Sequence, residues 1–132
     1  MTYFNQFVAE GHENFSIVIE DDGNVCYAYL LDGDEIIGDV WLYNQSPTPE
    51  FVDWNDSLSM PFLNPKVYVD ESIEIEVFTD NSNIYLNWNF KEEKLESVSI
   101  YLENKLIAIL KPSCKPSWSS LVKKDGPLAL KL

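Results

Sequence analysis

Apolar and polar residues alternate along most of the chain with a period of two, the pattern of half-buried β-strands rather than of amphipathic helices. In the second half Ile73, Ile75 and Val77 alternate with Glu74 and Glu76. Ile84, Leu86, Trp88 and Phe90 alternate with Tyr85, Asn87 and Asn89, and Val98, Ile100 and Leu102 with Ser97, Ser99 and Tyr101. Each such strand should turn one face to water. Two runs break the rule: Val40-Trp-Leu-Tyr43 and Leu106-Ile-Ala-Ile-Leu110 are apolar on both faces, which suits strands covered on two sides.

Turn chemistry separates these runs. Asp21-Asp-Gly-Asn24, Asp32-Gly-Asp34, Asp80-Asn-Ser-Asn83 and Glu103-Asn104 mark hairpin ends, so residues 15–43 read as a three-stranded meander and residues 66–111 as a second one. Between them, residues 44–65 hold Pro47, Pro49, Pro61 and Pro65 together with Phe51, Trp54, Leu58, Met60, Phe62 and Leu63. That much apolar mass predicts a loop packed as a cover. At the start, Phe7 follows Tyr3 by four positions and Phe4 by three, so a short helix or an irregular lead-in is expected over Tyr3 to Glu10. After Pro112 a basic tail follows, with a short helical stretch expected over Ser117 to Lys124 and an extension over Leu128 to Leu132. The fold class is mainly β with little helix: an antiparallel β-sandwich or a flattened, partly open barrel of about seven strands in two meanders.

Length and composition fit that picture. With 132 residues, 45% of them apolar, the chain suits one domain. Its apolar runs fall short of a bilayer span, and the N-terminus lacks a basic region ahead of an apolar one, so a cytoplasmic protein with no membrane association is expected. Two cysteines cannot make a disulfide framework. Cys26, among apolar strand residues, reads as packing; Cys114, between Lys111 and Lys115, is the better candidate for reactivity.

Charge changes the picture most. The formal net charge is -13, and every one of the nine basic residues is a lysine. Residues 1–104 carry 3 lysines against 21 acids, 3 - 21 = -18, and residues 105–132 carry 6 against 1, 6 - 1 = +5. Such a body repels nucleic-acid phosphate and attracts cationic partners.

Gly38-Asp-Val-Trp-Leu-Tyr-Asn44, Pro61-Phe-Leu-Asn-Pro65, Lys115-Pro-Ser-Trp-Ser119 and Asp125-Gly-Pro-Leu-Ala129 together resemble an uncharacterised family of small acidic single-domain bacterial proteins. The resemblance implies no catalytic residue. In size, acidity and lack of active-site chemistry the chain is also similar in type to immunity proteins of bacterial toxin systems.

No catalytic signature emerges. His12 is the single histidine, which excludes a histidine metal cluster; it reads as a solvated or capping residue. There is no Gly-x-Ser-x-Gly elbow and no Gly-rich phosphate loop. Asp21-Asp22 and Asp32/Asp34/Glu35 sit where hairpins need Asp-Gly turns and miss the EF-hand spacing. Asp53 and Asp56 flank Trp54, a pairing also seen at sugar sites. Asp39 is expected on the face of Trp41 and Tyr43, bonded to loop backbone.

The leading expectation is a non-catalytic protein that docks a basic protein partner, with toxin neutralisation as its concrete form and no metal or cofactor. Phe51, Trp54 and Phe62 would be the desolvated anchors. The alternative is a small-ligand or enzymatic pocket between the sheet and the loop, lined by Trp41, Tyr43, Trp54, Trp88 and the carboxylates Asp53 and Asp56. A third reading is purely structural, with the lysine-rich tail docked on its own acidic body or on a second copy. Sequence leaves monomer and homodimer open.

Overall fold

The strands follow one another as β1 (Tyr3–Val8), β2 (Phe15–Asp21), β3 (Val25–Asp32), β4 (Glu35–Asn44), β5 (Ile84–Lys91), β6 (Lys94–Leu102), β7 (Lys105–Leu110), β8 (Trp118–Ser119) and β9 (Leu130–Lys131). They come from a computed structural model that describes residues 2–46 and 61–132. Two sheets result, ordered β1-β2-β3-β4 and β5-β6-β7-β8-β9, and neither closes into a barrel. All pairings are antiparallel except β8 with β9, which makes the second sheet mixed.

Both sheets contribute to one core. Ile17, Ile19, Leu30, Val40 and Leu42 of the first sheet and Val98, Ile100, Ala108 and Leu110 of the second belong to one buried cluster. The two doubly apolar runs occupy the positions that explain them. Strand β7 is the middle member of its sheet. Strand β4 is last in its ladder, yet its outer edge is closed: Ser113 N–H donates to Ile37 C=O (2.7 Å), Ser117 N–H to Asp39 C=O (2.7 Å) and Trp41 N–H to Leu128 C=O (3.0 Å). Gly38 permits that approach, because a Cβ there would stand 3.1 Å from the Lys111 carbonyl oxygen.

Three expectations need correction. Residues Tyr3–Val8 form a strand rather than a helix, paired along their whole length with β2. A helix that short is marginal, whereas pairing satisfies the backbone at once and carries Tyr3 against Phe78 with ring centroids 5.7 Å apart. Residues 73–77 join neither sheet; burial alternates from Glu74 to Val77, while Ile73 is exposed. That segment crosses between the sheets: it is held at one end by the Val69–Val122 bridge and at the other by Phe78, whose N–H donates to the Tyr43 hydroxyl (2.9 Å). The stretch read as a helix over Ser117 to Lys124 instead starts with β8, which pairs with β7, and the final residues supply β9. Most of the covering loop, residues 47–60, lies outside the described residues.

The β5–β6 turn has Glu92 at φ 52° and Glu93 at φ 68°, left-handed values that Asn-Gly adopts at lower cost. Left-handed backbone costs an L-residue roughly 1–2 kcal/mol, part of which glycine returns as chain entropy. Glu92→Asn with Glu93→Gly should therefore raise stability by about 1 kcal/mol. Urea titration would show this as a higher midpoint at unchanged slope, and an unmoved midpoint would mean the carboxylates compensate for their backbone.

Candidate functional site

A β-bulge decides which side chains share a face. Cys26 pairs with Tyr43 and Tyr27 with Trp41, so Leu42 is the extra residue on β4. Tyr43 is thereby turned to the core face with Cys26, while Trp41 and Asp39 lie opposite Tyr27 and Tyr29 on the other face. Simple alternation, which puts Asp39, Trp41 and Tyr43 together, fails at this one residue.

On the core face, Asp21 ends β2 almost fully buried and collects three donors. Its Oδ2 accepts from the Tyr43 hydroxyl (2.6 Å) and Gln45 Nε2 (2.7 Å), and its Oδ1 from Gly23 N–H (2.9 Å). Paired this way the carboxylate keeps its charge off the solvent without being orphaned. Burial pushes both the Cys26 thiol and the Tyr43 phenol up. That places Cys26 with inert packing cysteines.

Asp21 also forms the back of an open groove of about 570 Å³ between the start of β1, the end of β2 and Thr79–Asp80. Glu20, Asp22 and Asp80 line it with exposed side chains, and Phe4 stands beside them 64% exposed. Asp22 is fixed by Asn24 N–H (2.8 Å) and Val25 N–H (3.0 Å). Among the described residues, four carboxylates and no cation line this groove.

On the opposite face a smaller pocket, about 240 Å³, lies between Tyr27, Tyr29 and Asp39 and the chain at Pro61–Phe62, with Lys115 and Leu128 at its side. The Tyr27 hydroxyl donates to the Phe62 carbonyl (2.7 Å), and the two tyrosine rings stack at 6.0 Å. Burial raises the Asp39 carboxyl above its usual range, and the Lys115 ammonium only partly opposes this. Burial likewise pushes the Tyr29 phenol up to about 12. A carboxyl raised on folding favours the native state below its unfolded pKa and loses that contribution as pH rises through the folded value. Asp39→Asn should accordingly match the wild type near pH 3 and be more stable near pH 7. Thermal melts at the two pH values check this; equal differences at both would show that folding does not raise the Asp39 carboxyl.

Of the residues expected to line one pocket, the structure does not bring Trp41, Tyr43 and Trp88 together. Trp41 and Tyr43 are buried on opposite faces of β4, and Trp88 stacks on Phe90 in the second sheet (6.5 Å). Phe62 is half-buried against the Tyr27 hydroxyl, and Phe51, Asp53, Trp54 and Asp56 lie outside the described residues. His12 stacks on Phe90 with centroids 3.8 Å apart, tying the β1–β2 loop to β5. A third cavity, about 350 Å³ and mainly apolar, is formed by Ile73 and Ile75 over Leu102, Ile107 and Leu121. Sequence reasoning missed the Glu20–Asp22–Asp80 groove because its acids come from two turns far apart in the chain.

Among the described residues no three His, Cys, Asp or Glu side chains converge as a metal site, and no helix is long and apolar enough to cross a membrane. Comparison with protein-family models, curated proteins and solved structures gave no match.

Proposed function

We propose that the two sheets pack as an open β-sandwich serving as a non-catalytic, cytoplasmic docking platform, and that the acidic first sheet binds a basic protein partner. One observation carries this reading. Residues 2–46, which build that sheet, hold nine carboxylates and no lysine, 0 - 9 = -9; residues 61–132 hold nine lysines against ten carboxylates, 9 - 10 = -1. The charge is therefore segregated by sheet rather than spread evenly, as solubility alone would require. Neutralisation of a basic toxin is the concrete form of this role, with complementary charge setting the association rate.

The test uses polylysine and basic proteins as probes. Binding at about 50 mM salt should weaken by an order of magnitude or more at several hundred millimolar, and Glu20→Gln with Asp22→Asn and Asp80→Asn should weaken it further. Salt-independent binding, or none at low salt, sinks the proposal.

The small-ligand reading finds its best support in Asp39, raised and set between two tyrosines and Lys115. Its pocket of about 240 Å³ falls below the roughly 300–1,000 Å³ common for ligand sites, which ranks it second.

A further inference from the structure

We infer that the outer edge of β1 is a strand-addition site for an extended, basic peptide segment of a protein partner, whose Lys or Arg side chains meet the carboxylates of the Glu20–Asp22–Asp80 groove. This rests on the docking role above and specifies how the partner is held.

The first ground is that β1 lacks the protection sheet edges ordinarily have. Alternate residues of an edge strand direct N–H and C=O groups outward, a template that proteins blunt with charges, prolines, bulges or covering segments. Strand β1 reads Tyr-Phe-Asn-Gln-Phe-Val, with no charge and no proline. Its six-residue pairing with β2 runs without a bulge. Phe4 and Val8, on one face of it, are 64% and 50% exposed. Among the described residues no strand pairs with its outer side, where the Gln6 N–H is held only by its own neighbour, the Asn5 side chain (2.9 Å). The other three sheet edges differ: β4 is closed by Ser113, Ser117 and Leu128, β5 carries a bulge at Asn89/Phe90 and ends in Lys91, and β9 is two residues long and ends in Lys131.

The second ground is charge, which selects the occupant. Glu20, Asp22 and Asp80 flank the start of β1, and Glu10 and Glu13 follow its end. A second copy added edge to edge would bring acids against acids in either strand direction. A basic strand meets opposite charge at both ends, covers Phe4 and Val8 with alternate apolar residues, and gains the backbone ladder besides.

An eight-residue peptide alternating lysine and valine separates these contributions when compared with its twin N-methylated at alternate amides, which keeps the charge but cannot extend the ladder. Titration into the full chain at low salt should give at least tenfold tighter binding for the parent, with slowed exchange of β1 amides. Phe4→Lys with Val8→Lys, both at exposed positions, should weaken the parent at least tenfold while leaving the melting temperature unchanged. Equal binding of parent and twin overturns strand addition and leaves charge-driven docking standing. Binding of neither overturns both. A peptide-free dimer with protected β1 amides overturns the choice of occupant.

Discussion

Trp41→Ala is expected to destabilise the protein by about 3–5 kcal/mol, a large share of the roughly 5–15 kcal/mol that holds a domain together. Trp41 is among the largest fully buried side chains, 2% exposed, and its indole N–H donates to Asn44 Oδ1 (2.8 Å). The same Asn44 oxygen accepts from Asn64 N–H (2.9 Å), and Asn44 Nδ2 donates to the Asn64 carbonyl (2.9 Å). Trp41 thus braces the residue that fastens the chain where it returns at Asn64. The backbone bond from Trp41 to Leu128 survives the substitution, so the loss reports the side chain alone. Urea unfolding followed by circular dichroism measures it. A loss under about 1 kcal/mol would mean that the surroundings collapse into the vacated space.

How far the strands could be read in advance depended on whether their pattern was local. The hairpins β2–β3, β3–β4 and β6–β7 carry their turn residues and alternation in sequence, and six of the expected strands are present. The β5–β6 hairpin carries its alternation but turns on Glu92-Glu93, and Asp80 to Asn83 leads into β5 without closing a hairpin. Strand β1 was ambiguous because Tyr3, Phe4 and Phe7 satisfy both periods; pairing with β2 decides it. Residues 73–77 show the reverse: strand alternation is clear, but Phe78 is drawn between Tyr3 and Tyr43, so the segment crosses from sheet to sheet. Two-residue strands such as β8 and β9 have no period to detect. The bulge at Leu42 was equally hidden, since an inserted residue inside an apolar run leaves no break in the run. It is this residue that separates Trp41 from Tyr43 and dissolves the expected aromatic pocket.

The substitution Tyr43→Phe tests the buried network that the bulge creates, and should cost about 2–4 kcal/mol. Removing one oxygen takes a donor from the Asp21 carboxylate and the acceptor from Phe78 N–H, in a residue with no solvent exposure. A buried unsatisfied donor costs about 1–3 kcal/mol, and a hydrogen bond to a charged group is worth about 1.5–3. Gln45 and Gly23 still hold Asp21, which keeps the total below the simple sum. A double-mutant cycle with Asp21→Asn should give a coupling energy of about 1–2 kcal/mol. Burial, then the nearby Cys26 and the bond to Asp21, hold the Tyr43 phenol above its ordinary value. Its contribution is therefore complete below about pH 10, where an unfolded tyrosine is still protonated, and declines at higher pH. The alkaline limb of the stability curve should be shallower in the variant than in the wild type. Parallel limbs, with a coupling energy near zero, would show that the hydroxyl fills space in the core without joining Asp21 to the crossing segment.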